Sequence, residues 1–154
     1  MARASKGEWQ AMTAKELSSA LQQHKEWINN PKGNGKRADL RGAELKNVNF
    51  EGADLRFVDF RAADLSGAVL IKADCRHADF RGANLSNAVC IGTVFTNARM
   101  EGANLFGVDM RSAVMDYAQM AGANLSASYE KTLHQYADRA AGTPEKSKDR
   151  GIER

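Results

Sequence analysis

The sequence predicts an all-β solenoid, and three observations carry that prediction. The first is a strict period of five: stepping from Leu40 gives Leu45, Phe50, Leu55, Phe60, Leu65, Leu70, Cys75, Phe80, Leu85, Cys90, Phe95, Met100, Leu105, Met110, Met115, Met120 and Leu125, all apolar. The second is a small residue two places before each of these, Ala in most units and Val or Thr in the rest, beginning with Ala38, Ala43 and Val48. The third is a longer period, because Arg41-Gly-Ala-Glu-Leu45, Arg61-Ala-Ala-Asp-Leu65, Arg81-Gly-Ala-Asn-Leu85 and Glu101-Gly-Ala-Asn-Leu105 recur at intervals of twenty. A step of five matches neither the 3.6-residue turn of a helix nor the alternation of a strand. Each unit must therefore run extended for a short stretch and then turn.

Composition agrees with a core made of small side chains. Only 28 of the 154 residues are Leu, Ile, Val or Phe, a fraction on the edge of disorder for a chain of this length. The formal net charge of +3 is too small for that reading. The large side chains are concentrated in the repeat, and the ends are lightly built.

The elements follow in chain order. Residues 1–12 read as a leader. Residues 13–37 read as a cap helix and link: Thr13-Ala-Lys-Glu16 is a capping box, Met12 is placed to staple onto Leu17, and Leu17, Leu21, His24 and Ile28 mark one face of a helix over 14–28 that stops at Asn29-Asn-Pro31. Such a cap is needed, since a stacked solenoid with a raw end polymerises. The repeat occupies 38–127, with Leu45, Leu65, Leu85, Leu105, Leu125, Phe50, Phe60, Phe80 and Phe95 as interior core. Tyr129, Leu133, Tyr136 and Ala140 then fall on helical spacing, which predicts a short C-terminal helix over 128–142 that either closes the rod or makes a dimer contact. Residues 143–154 carry too few apolar groups to fold and read as a solvated tail.

The repeat, A(D/N)LxG in its commonest form, closely resembles the pentapeptide-repeat family. That resemblance implies a right-handed quadrilateral β-helix of about 4.5 coils. It also implies that the central Leu or Phe and the small residue before it point inward, while the other three positions face out. The leader with His24 and Trp27 is similar to the N-terminal segment of many bacterial members.

Catalysis requires convergent polar groups in a pocket, and a filled solenoid offers none. The three histidines, His24, His77 and His134, are far apart, and the repeat register turns Cys75 and Cys90 inward. Asp74 and His77 share an outer wall, but two ligands make no metal site. No catalytic, cofactor-binding or metal residue is expected, and no cofactor. Along the first wall Asp39, Asp59 and Asp79 stand beside Arg41, Arg61 and Arg81, which predicts a self-neutralising ladder.

The third wall breaks the rule that outward positions are polar. Val69, Ile71, Val89 and Ile91 occupy outward slots there, and Val94 and Val114 extend the apolar area onto the fourth wall. These six residues form the candidate surface for a partner or for self-association, unless a terminal helix covers them. The function expected is a non-enzymatic protein-interaction or structural module, a rigid rod that binds another protein of unknown identity, with a homodimer as a further option. The family suggests an alternative, a DNA mimic that binds type II topoisomerases and modulates gyrase, conferring quinolone resistance. Mimicry needs a strongly negative face, whereas 38–127 carries 11 acidic and 9 basic residues, interleaved. Direct nucleic-acid binding is not expected without a basic stripe. No stretch of ~20 apolar residues and no signal-peptide core is present, so a cytoplasmic bacterial protein with no membrane contact is expected.

Overall fold

The computed structural model describes residues 12–127. The leader to residue 11, the C-terminal helix expected over 128–142 and the tail after it lie outside the described residues.

Helix α1 spans Ala14–Asn29, one residue longer than the sequence pattern predicts. Its start is set by the capping box: Thr13 Oγ1 accepts from the Glu16 N–H at 3.1 Å, and the Glu16 carboxylate accepts from the Thr13 N–H at 2.9 Å. It ends where the Asn30 N–H donates to the Glu26 carbonyl and Pro31 forbids another turn. Met12, Leu17 and Leu21 pack half-buried against the core, and His24 is the residue of α1 that is completely buried.

From Ala38 onward the chain coils. Every β-bridge is parallel and joins residues twenty apart, from Asp39 with Asp59 to Asn104 with Asn124. The bridges form four columns, so the coil has four faces. Facing inward are Leu40, Phe60, Phe80, Met100 and Met120 on the first face, and Leu45, Leu65, Leu85, Leu105 and Leu125 on the second. The third face has Phe50, Leu70, Cys90 and Met110, and the fourth Leu55, Cys75, Phe95 and Met115. All of these side chains are buried. We refer to residues 38–57, 58–77, 78–97 and 98–117 as successive layers.

Hydrogen bonding explains why the unit has five residues. The central residue and the second corner residue donate to the next layer, as Leu40 N–H does to Asp59 and Gly42 N–H to Arg61. The residue before the centre donates to the previous layer, as Asp59 does to Ala38. The small residue closes the corner by donating three places back, as Ala43 does to Leu40. The second corner residue sits in the left-handed region. That position takes glycine readily, as at Gly42 and Gly82, but Ala62, Lys72 and Tyr117 hold it too, with φ near +57°.

Inside the rod the aromatic rings stack across layers. Phe60 and Phe80 lie parallel with centroids 4.9 Å apart, and Phe50 and Phe95 meet them edge-on. The small residues, Ala in most units, fill the corners; most are buried, and Val48, Ala53, Ala113 and Ala123 are partly so. Where Thr93 replaces Ala its hydroxyl donates to the Leu70 carbonyl, so this buried polar group is satisfied.

Candidate interaction surface

One N–H per unit, on the first corner residue, has no backbone acceptor in the ladder. Each Asp or Asn before the central residue supplies one. Its Oδ1 accepts from the N–H two places on, at 2.9 to 3.3 Å, from Asp39 to Asn124. These are Asx turns, and they give the physical reason for Asp or Asn at that position of the repeat.

Where the first corner residue is Arg, the carboxylate holds the guanidinium as well. Arg56 Nε and Nη2 lie 2.8 and 2.7 Å from the two oxygens of Asp54, and Arg41, Arg61, Arg76, Arg81 and Arg111 repeat the arrangement. Three of the pairs also reach along the rod: Arg41, Arg56 and Arg61 approach Asp59, Asp74 and Asp79 of the next layer at 3.7 to 3.8 Å. The ladder expected on the first face is therefore present. A second one on the fourth face, through Asp54, Arg56, Asp74 and Arg76, was not read from the sequence, although the same spacing carries it. The signs reverse at Arg99 and Glu101, which pair at 3.0 Å and set Arg99 beside Asp79 in the ladder. The Arg hydrogen bonds hold the Asp54, Asp74 and Asp109 carboxyls below the usual carboxylate range.

The aliphatic positions interrupt this pattern. Val69 and Val89 stack as bridge partners on the third face, and Val94 and Val114 on the fourth. Val69, Ile71, Val89, Ile91 and Val94 are half-buried, and Val114 is 39% exposed. A valine offers no acceptor, and the N–H groups of Ile71, Ile91, Thr96 and Asp116 accordingly have no partner among the described residues. The same is true after Glu44, Arg99 and Gln119, but those side chains are polar. The aliphatic slots thus give up a hydrogen bond and leave apolar surface facing outward.

Three exposed rings escaped the sequence reading: Phe57 at 39%, Phe106 at 44% and Tyr117 at 77%. Phe57 and Tyr117 are corner residues of the fourth face, where outward direction follows from the repeat register. The Asp74 and His77 pair is committed elsewhere. Asp74 binds Arg76, and the His77 ring stacks on Phe57 with centroids 4.9 Å apart. Among the described residues no group of three His, Cys, Asp or Glu could hold a metal ion. Cys75 and Cys90 are buried free thiols, and burial pushes the Cys90 thiol up to about 12.

A filled four-faced coil with its polar chemistry spread in outward columns defines a β-solenoid repeat protein. The family model for pentapeptide repeats matches eight copies over residues 36–70 and 73–111, and the chain belongs to that family. The bridged pattern continues beyond the matched region to Asn124. Among solved structures, the pentapeptide repeat protein alr5209 from Nostoc PCC 7120 is 26% identical. That match covers 77% of this chain and 89% of that one, with a TM-score of 0.49. HetL, a pentapeptide repeat protein involved in heterocyst differentiation regulation in Nostoc sp. PCC 7120, is 27% identical over 76% of this chain, with a TM-score of 0.45. The match spans 48% of HetL. QnrB1, a plasmid-mediated fluoroquinolone resistance protein, is 19% identical over 70% of this chain and 72% of its own, with a TM-score of 0.45. The search of curated proteins finds no match.

Proposed function

We propose that the chain is a non-enzymatic protein-interaction module. In this reading it is a right-handed quadrilateral β-helix of about 4.5 coils, with α1 as its N-terminal cap, that binds another protein through the aliphatic area of its third and fourth faces. The observation that carries the reading is the loss of the Asx acceptor at Val69, Val89, Val94 and Val114. Folding alone favours Asp or Asn there, so an apolar residue that leaves an N–H unpaired marks a position retained for contact. Two buried, unpaired cysteines fit a reducing compartment, which supports the cytoplasm as the place of action. No helix among the described residues is long and apolar enough to cross a membrane.

The ion ladders argue against the DNA-mimic alternative. A surface that replaces a row of phosphates needs uncompensated negative charge, and the carboxylates of Asp54, Asp59, Asp74, Asp79 and Asp109 are each held by an arginine two residues on.

The double substitution Val69→Asn with Val89→Asn tests the reading. Asn restores an acceptor for the Ile71 and Ile91 N–H groups, so the variant should melt within about 1 kcal/mol of the parent or above it. A protein from the native host that is retained by the parent and lost by the variant supports the proposal. Light scattering of both detects a second copy of the chain in the same role. Identical retention and identical mass for the two proteins would overturn it.

A further inference from the structure

His24 fills two hydrogen-bonding positions that the rest of the rod fills with backbone. In the column of the fourth face, the carbonyls of Arg76, Thr96 and Asp116 accept from the N–H of Phe57, His77 and Asn97 in the layer before. Arg56 is the first carbonyl of that column, and it accepts from His24 Nε2 at 2.7 Å. The small residues Ala43, Val48 and Ala53 donate three places back, whereas Ala38, the first of them, donates to His24 Nδ1 at 3.0 Å. One imidazole thus supplies both the missing donor and the missing acceptor at the start of the coil. Its position is fixed by stacking on Trp27, which in turn meets Phe57 edge-on. A backbone bond from the Lys36 N–H to the Gln23 carbonyl at 3.1 Å also ties α1 to the segment that follows it into the coil.

The chemistry of the two partners allows a single protonation state. A backbone N–H can only donate, so Nδ1 must present its lone pair to Ala38. A carbonyl can only accept, so Nε2 must carry the proton toward Arg56. The imidazolium has a proton on both nitrogens and would drive one of them against the Ala38 N–H. We propose that His24 is a proton-operated latch: the neutral imidazole fastens α1 to the first layer, and its protonation in mild acid releases α1 and uncovers the N-terminal end of the rod.

The surrounding charges leave this balance in place. Burial, the largest influence, holds the imidazole below its ordinary value of 6.5, and the cations of Arg37 and Arg56 act in the same direction. The Arg56 carbonyl hydrogen bond and the Asp54 carboxylate oppose them, but that carboxylate is engaged by the Arg56 guanidinium at 2.7 Å. Release would withdraw Met12, Leu17 and Leu21 from the core and leave the open edge of the first layer, including the N–H groups of Glu44, Asn49 and Asp54, accessible to another chain.

Hydrogen exchange of the full chain at pH 7.5 and pH 5.0, corrected for intrinsic rates, tests the latch. Protection of residues 14–29 and of the Ala38 amide should fall by about tenfold or more in acid, while residues 78–97 change by less than about twofold. His24→Gln keeps a donor for the Arg56 carbonyl and cannot titrate. Its α1 protection should be lower at pH 7.5 and the same at both pH values. An Ala38 amide unprotected at pH 7.5, an unchanged α1 at pH 5.0, or a His24→Gln variant that keeps the parent's acid response would each overturn the proposal.

Discussion

Asp59 shows how much one outward residue does in this fold. It is buried, it accepts the Arg61 N–H at 3.1 Å, it binds the Arg61 guanidinium, and Arg41 of the previous layer lies 3.7 Å away. Replacing it with Ala leaves the Arg61 N–H and the Arg61 guanidinium without their acceptor and removes the second carboxylate beside Arg41, which keeps Asp39. Asp59→Ala should cost ~1.5–3 kcal/mol by chemical denaturation, and Asp59→Asn, which keeps the Asx turn, clearly less. That the repeat favours Asp or Asn is plain from the sequence, but the reason is not. The Asx acceptor becomes visible only when every N–H of a layer has been assigned a partner. His24 is the stronger case, because its partners lie fourteen and thirty-two residues away and neither contact leaves a mark on local spacing. By contrast Leu45, Phe60 and Phe80 were legible as core, since position within the five-residue unit alone decides burial.

At the scale of elements, α1 and the coil respond to acid over different ranges. The His24 imidazole is depressed below 6.5, so the unfolded or released form binds the proton more readily. The stability of α1 docking is therefore full above ~6.5 and falls as the pH drops below that value. The carboxyls of Asp54, Asp74 and Asp109 are also depressed, by their arginine hydrogen bonds. Their contribution to the coil is present above the unfolded carboxylate value of ~3.9 and is lost only as the pH falls below it. A pH titration should accordingly separate loss of α1 protection, which sets in as the pH falls below ~6.5, from loss of the coil's circular dichroism below about pH 4. A single concerted transition would contradict this order. The helix itself was readable from Thr13 and Glu16, since a capping box is a local signal. The second ion ladder on the fourth face was within reach of the same arithmetic that found the first. The aliphatic area was legible as a break in the outward polarity, although half-burial of Val69 and Val89 by their stacked neighbours depends on the layers above and below.

The described coil is a stack in which each layer is bridged to the next, and its interior side chains are buried. Cys75 and Cys90 lie in that interior, fully buried, with the Cys90 thiol pushed up to about 12. Neither should react with a thiol reagent at neutral pH until the layers around it open, so the modification rate should follow unfolding of the rod rather than reagent concentration. Fast modification of the folded protein would show the interior to be looser than its packing.

The bridges that join residues twenty apart also fix how the rod would respond to force. Strand-strand bonds here point along the rod axis and the chain runs around it, so pulling on the two ends peels layers off in turn instead of shearing long strands. Each layer released should add about 70 Å of contour length, twenty residues at ~3.5 Å each. A force-extension trace should then show a regular series of small steps at low load, the mechanical signature of a spool that unwinds turn by turn.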